Sequence, residues 1–214
     1  MIFNSNFRYL NDFEGKVEDI KNEPMFFNCN FKFAIENGGP ITKSFLNALP
    51  EVIKKQPLVF DSRVHMLMPG WYPCIPGWHH DDVPRSNKGQ PNYKTPEYFA
   101  KHYMGLVNGD ICPTKFIDDP LVEVSKVIDG DLVYKKWHKE IETQIKEGDL
   151  KPVIAKSNKI ISFDADTFHA GDKAISNGWR WFGRISIQTD RVNNITNEIR
   201  KQVQVYLEFP MEGW

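Results

Sequence analysis

Histidines and carboxylates that could bind a metal occur in two separate stretches of this chain. His79, His80, Asp81 and Asp82 follow one another directly, and His169 comes much later. A His and an Asp two residues apart, completed by a distant His, form the ligand set of a facial triad. Such a triad binds a non-haem Fe(II) on one side and leaves the opposite side open. The order of these residues therefore predicts an iron site.

The doubled His-His-Asp-Asp run allows two registers for the triad. Side chains alternate between the faces of a strand, so His79 and Asp81 would project to one side, and His80 and Asp82 to the other. We favour His79 with Asp81 and keep His80 with Asp82 as the alternate pair. The run alone is equally typical of a polar turn, and it is the position of His169, shortly before a glycine, that favours a metal role.

An arginine on an apolar strand follows the last histidine. Arg184 and Ser186 share one face of the alternating stretch 181–189, and an arginine there is costly to bury without an anionic partner. A small dicarboxylate could be that partner through a bidentate pair, with Ser186 as a hydroxyl donor. Arg180 is the alternate anchor, and Asp164 is an alternative, purely structural partner. An anchor of this kind beside iron is typical of an oxygenase that uses 2-oxoglutarate.

A long polar loop follows the first metal stretch. Residues 83–97 contain Arg85, Lys88 and Tyr93, and long loops beside a site are often the part that selects the substrate. We expect the loop to overhang the site, and its cations favour a substrate that carries a carboxylate or a phosphate. A solvated connector explains the same residues equally well.

Composition excludes several classes of protein. The 214 residues are most simply one domain, 1–214, and 41% of them are hydrophobic, enough to bury a core. The formal net charge is -1, from 27 Lys plus Arg and 28 Asp plus Glu, which argues against a protein that coats nucleic acid. A nucleotide substrate stays open.

Cysteines and apolar runs indicate the compartment. The three cysteines have no CxxC spacing, which is atypical of a zinc knuckle or a disulfide framework. The first residues show no signal-peptide pattern, and no apolar run is long enough to span a bilayer. We expect reduced thiols, a cytoplasmic protein and no membrane partner.

Short alternating segments dominate the chain. A turn at 108–110 predicts a hairpin, Thr42 is expected to cap a helix through Leu49, and a second helix is expected from Asp131 to about Lys146. Many short strands and few helices indicate a mainly β fold with flanking helices, either a sandwich or a closed jelly roll. The predicted strands are 25–34, 58–68, 103–107, 114–117, 153–155, 159–163, 181–189 and 202–209.

These residues together resemble the Fe(II)/2-oxoglutarate-dependent dioxygenases. The resemblance rests on His79-x-Asp81, His169 and Arg184-x-Ser186, and covers roughly residues 58–190. It implies a double-stranded β-helix, the cupin-like jelly roll, with Fe(II) in its wide mouth. It also implies that 2-oxoglutarate is converted to succinate and CO2 while a small molecule or a side chain is hydroxylated. Halogenases of the family have a small residue in place of the carboxylate, so Asp81 favours hydroxylation.

Two other classes of function use the same fold. A cupin-like isomerase or hydrolase would hold Zn or Mn with the same three ligands and would not need Arg184. A metal-free jelly roll could serve as a module that binds sugar or peptide.

Overall fold

The structure is a computed structural model, and it describes residues 1–87, 89–94, 99–128 and 132–207. The strands are β1 (Ile2–Ser5), β2 (Phe7–Asp12), β3 (Met25–Phe27), β4 (Leu58–Leu67), β5 (Lys101–Val107), β6 (Thr114–Ile117), β7 (Asp119–Glu123), β8 (Pro152–Ile154), β9 (Lys159–Asp164), β10 (His169–Gly171), β11 (Gly178–Ile187) and β12 (Glu198–Arg200). The α-helices are α1 (Phe31–Asn37), α2 (Pro40–Ala48), α3 (Glu51–Lys54) and α4 (Val133–Glu147). Short 3-10 helices occupy Val17–Asn22, Gly109–Ile111 and Asp190–Asn194.

Antiparallel sheets form the body of the protein. The main sheet has five strands in the order β2-β9-β5-β11-β4, and a smaller sheet has the order β10-β6-β8. The strands β1 and β7 form one further pair, and β12 and β3 form another. This is the mainly β sandwich with flanking helices that the sequence predicts; closure into a jelly roll stays a prediction.

The two faces of strands β4 and β11 in the main sheet have opposite chemistry. On β11, Trp181 and Ile185 are buried in a cluster with Phe45 of α2 and Phe60 of β4. Burial of these large side chains against helices α1 to α3 stabilises the sheet. The opposite face of the same two strands carries polar and charged side chains, because alternate residues of a strand point to opposite sides. That polar face looks toward the smaller sheet.

A second core lies under the segment that carries the predicted ligands. Trp137 and Ile141 of α4 are buried together with Phe3 and Phe168. The apolar residues of α4 recur at helical spacing, and Gly148 ends the helix in the left-handed conformation, with φ 88°. The sequence predicts this helix well, although its expected first residue, Asp131, lies outside the described residues.

Three predictions about strands and their pairing are wrong. Residues 108–110 do not join a hairpin, because β5 pairs with β11 and β9, whereas β6 pairs with β10 and β8. The predicted strand 25–34 is a strand only over Met25–Phe27, and Asn30 then caps α1 by accepting a hydrogen bond from Phe33 N. The predicted strand 202–209 contains, up to residue 207, only an isolated bridge between Tyr206 and Tyr72.

Among the described residues, no helix combines the length and the apolar character that a transmembrane helix needs.

Candidate metal centre

Backbone pairing brings the two predicted histidine ligands together. His79, in the long connection after β4, forms an isolated antiparallel bridge with His169 at the start of β10. His79 N donates to His169 O at 3.1 Å, and His169 N donates to His79 O at 3.3 Å. The two rings therefore lie side by side, with centroids 4.6 Å apart.

Asp81 completes the group that the sequence predicts. One ligand atom each of His79, Asp81 and His169 lies within 4.8 Å of the other two. His169 Nε2 is 3.1 Å from Asp81 Oδ2, and His79 Nε2 is 3.9 Å from Asp81 Oδ1. Two imidazoles and one carboxylate that face one point suit a divalent transition metal. The predicted convergence is observed, and metal binding itself stays a prediction.

Hydrogen bonds fix which ring nitrogen each histidine presents. His79 Nδ1 lies 2.8 Å from Gly77 O, and His169 Nδ1 lies 2.9 Å from Thr167 O. A carbonyl can only accept, so both Nδ1 atoms carry the hydrogen, and each ring presents its Nε2 toward Asp81. Burial, and secondarily the neighbouring His169, lower the pKa of His79 to about 4. The ring is therefore neutral at physiological pH, as a metal ligand must be.

Arg184 is paired with the acidic member of the group. Its Nη1 donates to Asp81 Oδ2, and its Nη2 is 4.0 Å from Asp61 Oδ2. Burial alone would raise the pKa of Asp81, but Arg184 and His169 outweigh it and hold that pKa well below its usual range. Burial likewise opposes the charge of Arg184, and Asp81, Asp82 and Asp61 together raise its pKa. A metal ion would share Asp81 with this guanidinium.

The alternate register points away from the centre. His80 Nδ1 hydrogen-bonds to the hydroxyl of Tyr93 at 2.7 Å, and the His80 ring packs on Phe168 with centroids 3.9 Å apart. Asp82 has a positive φ of 51° and lies 3.4 Å from Arg191 Nη1. Neither side chain belongs to the group formed by His169.

A large cavity opens over the three candidate ligands. Its volume is about 1000 Å³, and it lies between the polar face of the main sheet, the smaller sheet and the segment that follows β12. Ligand cavities of proteins commonly measure roughly 300–1,000 Å³. The cavity therefore has room for more than one small molecule beside a metal.

Arg180 is a buried cation on the wall of this cavity. It is 2% exposed; its Nε donates to Cys112 O at 3.1 Å and its Nη2 to Thr114 Oγ1 at 2.7 Å. Within the described part of the chain, no carboxylate lies within ion-pair distance of it. Burial lowers its pKa, and the groups that oppose this are the thiols of Cys112 and Cys74 rather than an acid. A buried guanidinium without an acidic partner is costly unless a ligand supplies the anion.

Other predicted site residues have different positions. Ser186 shares the face of Arg184, is fully buried and has its hydroxyl 2.9 Å from His102 Nδ1; its role as a hydroxyl donor to a dicarboxylate stays a prediction. Tyr93 is partly buried against the core around Trp137 and bonds to His80; its part in a substrate loop stays a prediction.

The cations of the predicted substrate loop have different outcomes. Arg85 lines the cavity, with its Cζ 5.6 Å from the ring centre of Tyr134. Lys88 lies outside the described residues. Of the described cations in residues 83–97, only Arg85 lines the cavity. The expectation that this loop selects the substrate therefore depends on Arg85.

Sequence reasoning missed the polar residues of β4. Asp61, Arg63 and His65 line the cavity from the edge strand of the main sheet. Their spacing of two residues within an otherwise apolar strand was a usable signal, since alternation of charge in such a strand marks a face that meets solvent or ligand. Thr114, the partner of Arg180, carried no such signal.

Comparisons with known proteins gave likenesses of shape only. No protein-family model matches the chain, and no curated protein matches it. HygX from Streptomyces hygroscopicus, solved with nickel and 2-oxoglutarate bound, is 10% identical with a TM-score of 0.49, over 87% of this chain and 84% of that one. EvdMO1 is 13% identical with a TM-score of 0.41, over 86% and 47%; the nickel complex of the non-heme monooxygenase ThoJ is 10% identical with a TM-score of 0.39, over 86% and 74%. At these values the function of this chain has to be argued from its own side chains.

Proposed function

We propose that the chain is an Fe(II)- and 2-oxoglutarate-dependent oxygenase that hydroxylates a substrate and forms succinate and CO2. The observation that carries the proposal is that the three candidate ligands and the uncompensated Arg180 line one cavity. The three candidate ligands, here called the metal end, suit a metal, and Arg180, here called the carboxylate end, suits a carboxylate. A keto acid with two carboxylates has a group for each of them.

The metal end would be held by His79, Asp81 and His169. Two imidazoles and one carboxylate would occupy three coordination positions of a metal and leave the others open to further ligands. When bound, iron together with 2-oxoglutarate and oxygen supplies the oxidising chemistry, and the protein positions the participants. The two Nδ1 hydrogen bonds to Gly77 and Thr167 hold the imidazoles in the ligating tautomer.

Arg180 is the stronger candidate for the carboxylate end. Its partner Thr114 is two residues from Phe116, which is paired with His169 across β6 and β10. Two residues of a strand span about 7 Å, which is close to the length of a five-carbon dicarboxylate. The charge of Arg184, the anchor favoured by the sequence, is already balanced by Asp81.

The test is anaerobic addition of Fe(II) and 2-oxoglutarate, with the visible metal-to-ligand charge-transfer absorption as the signal. We expect the band in the unmodified protein. Arg180→Gln should raise the 2-oxoglutarate concentration that gives half of the band by roughly 10- to 100-fold. The reason is that a charge-assisted hydrogen bond contributes about 1.5–3 kcal/mol. Arg184→Gln is the matched variant, and we expect a smaller change in the same titration.

Other outcomes separate the remaining hypotheses. A normal titration for Arg180→Gln with a large loss for Arg184→Gln would restore Arg184 as the anchor. Stoichiometric metal uptake without a band, and without 2-oxoglutarate turnover in air, would favour the isomerase or hydrolase. No metal uptake at all would favour the binding module.

A further inference from the structure

The cavity carries more positive charge than the proposed co-substrate needs. Seven cationic side chains and four carboxylates line it, in a chain whose formal net charge is -1. A metal ion would add two further positive charges, and 2-oxoglutarate would bring two negative ones. The excess of cations therefore remains when both are bound.

The four carboxylates of the cavity are already engaged. Asp81 belongs to the candidate metal centre, and Asp61 lies 2.7 Å from Arg191 Nη2. Asp82 lies 3.4 Å from the same Arg191, and Glu198 lies 3.0 Å from Arg200 Nε. None of these pairs includes Arg63.

Arg63 has only backbone partners among the described residues. Its Nη1 donates to Phe26 O at 3.1 Å and to Ser62 O at 2.7 Å. Its Nε and Nη2 have no hydrogen-bond partner in the described ranges, and the side chain lines the cavity. Burial and the nearby guanidinium groups of Arg200, Arg184 and Arg191 lower the pKa of Arg63, against the opposing effect of Asp61. An anion from solution would relieve that repulsion.

Two guanidinium groups approach the ring of Phe27. The Cζ of Arg200 lies 3.5 Å from the ring centre of Phe27, and the Cζ of Arg63 lies 5.8 Å from the same centre. Contact with an aromatic ring restricts a long side chain, so less entropy is lost when an anion binds. Arg63 also follows Asp61 by two residues on the same face of β4, about 7 Å along the strand. A ligand at Arg63 would thus lie one step along the sheet from Asp61, which itself approaches Arg184.

We infer that the substrate of the proposed oxygenase carries an oxyanion group, a carboxylate or a phosphate, and that Arg63, beside Phe27 and Arg200, pairs with it. That the bound anion is a substrate rests on the proposed function. The anion site itself depends only on the residues of the cavity. The planar fork of a guanidinium matches both kinds of oxyanion. Comparing a phosphate probe with a carboxylate probe of similar size distinguishes the two oxyanions.

The test measures the binding of three probes of similar size, phenyl phosphate, benzoate and benzylamine, by calorimetry at low ionic strength. Ni(II) and 2-oxoglutarate are present at saturation in one series and absent in the other. We expect at least one anionic probe to bind at least tenfold more tightly than benzylamine in both series, and the tighter anion identifies the group. Arg63→Gln should weaken that binding at least tenfold, whereas Arg8→Gln, which removes an exposed cation outside the cavity, should leave it unchanged.

A second variant keeps the test decisive if Arg63→Gln is unstable in thermal unfolding. Arg200→Gln should then weaken anion binding by a smaller factor, and Arg63→Lys should restore part of it without the fork. Equal binding of benzylamine and the anions, or unchanged anion binding in Arg63→Gln, would overturn the inference. Loss of probe binding only in Arg180→Gln would do the same, since the probes would then occupy the co-substrate end.

The inference and the proposed function can fail separately. If anion binding needs Arg63 but the protein shows no charge-transfer band, the anion site is supported and the oxygenase function is rejected. If the band is normal but anion binding is the same with and without Arg63, the oxygenase function is supported and the anion site is rejected.

Discussion

At the scale of single residues, neighbouring side chains of one type have different environments. Asp81 faces the two imidazoles, whereas Asp82 adopts a positive φ and reaches Arg191. The choice between them follows from strand-like alternation at the bridge between His79 and His169. The pair His79 and Asp81 is therefore available to a metal. In the other pair, His80 packs and hydrogen-bonds in the core and Asp82 forms an ion pair.

A pair of variants tests this register. Asp81→Asn removes the anionic ligand while keeping its shape, and we expect the affinity for Ni(II) to fall at least about 100-fold, beyond what loss of a supporting hydrogen bond costs. Asp82→Asn, the matched control, should bind Ni(II) as the unmodified protein does. Competition with a chelating dye measures both. Loss of binding in Asp82→Asn with retention in Asp81→Asn would assign the site to the other register.

A second residue-scale prediction concerns pH. Burial, then Arg180 and Arg63, lower the pKa of His65 to about 3 in the folded protein, from 6.5. Below pH 6.5 the unfolded chain binds a proton that the folded protein excludes, so the stability falls as the pH falls, by at most about 1.4 kcal/mol per pH unit for this group. Stability is unaffected by His65 above pH 6.5, where both states are neutral.

The measurement compares urea unfolding at pH 7.5 and pH 5. His65→Asn should lose less stability over this interval than the unmodified protein, by about 2 kcal/mol. Buried His80 and His102 also have lowered pKa values and remain in both proteins, so they cancel in the comparison. Equal losses in the two proteins would show that His65 is protonated without cost in the folded state.

At the scale of elements, helix α2 shows how a distant residue can define a helix end. The sequence predicts Thr42 as the cap, but α2 begins at Pro40, and Gly39 before it offers no side chain. The carboxylate of Glu23 instead accepts from Ile41 N at 2.7 Å, Thr42 N at 3.2 Å and Thr42 Oγ1 at 2.6 Å. A negative charge at a helix N-terminus is also attracted by the positive end of the helix dipole, which stabilises the helix.

Glu23→Gln tests this cap. The amide keeps the size of the side chain but loses the charge, and we expect the free energy of unfolding to fall by about 1–2 kcal/mol. Glu18→Gln, at an exposed position of the 3-10 helix Val17–Asn22 that precedes Glu23, should change the free energy of unfolding by less than about 0.5 kcal/mol. Urea unfolding of both variants gives the comparison, and equal effects would mean that Glu23 does not cap α2.

Elements whose signal is local could be predicted from the sequence, and contacts between distant segments could not. The strands β4, β6, β9 and β11 and the helix α4 lie within a few residues of their predicted bounds, because alternation and helical spacing are properties of neighbouring residues. Strand β1 was missed in a stretch that looks polar and mixed. Its Ser5 is fully buried, donating to Ile117 O at 2.7 Å and accepting from Phe168 N at 2.9 Å.

The candidate site divides in the same way. The three candidate metal ligands are indicated by their order and spacing, so His79, Asp81 and His169 could be predicted from the sequence. The ranking of Arg180 and Arg184 could not, because it depends on which carboxylate lies near each guanidinium after folding. Arg63 and Phe27 are joined only through the packing of β3 on β4, which no local pattern shows.

At the scale of the whole molecule, the candidate centre connects separate parts of the fold. His169 belongs to the smaller sheet, Asp81 to the long connection after β4, and Arg184 to the main sheet. A ligand that binds only when these parts are assembled stabilises the folded state by mass action. Metal binding should therefore be visible in global unfolding.

Thermal unfolding with and without Ni(II) tests this coupling. At a metal concentration 100 times the Kd, the stabilisation is about 2.7 kcal/mol, which corresponds to a rise in Tm of roughly 5–11 °C for a chain of this size. Chelation should reverse the rise, and Asp81→Asn should show none of it. An equal rise in Asp81→Asn would place the bound metal elsewhere.

The two-sided chemistry of β11 also limits how its length can change. Its even-numbered arginines meet the cavity and its odd-numbered Trp181 and Ile185 meet the helices. One inserted or deleted residue within the strand would exchange these environments, placing guanidinium groups among aromatic rings and aromatic rings at the metal. Relatives of this protein should therefore tolerate gains and losses of residues in the connection after β11, around Asp190–Asn194, while the length of β11 itself stays constant.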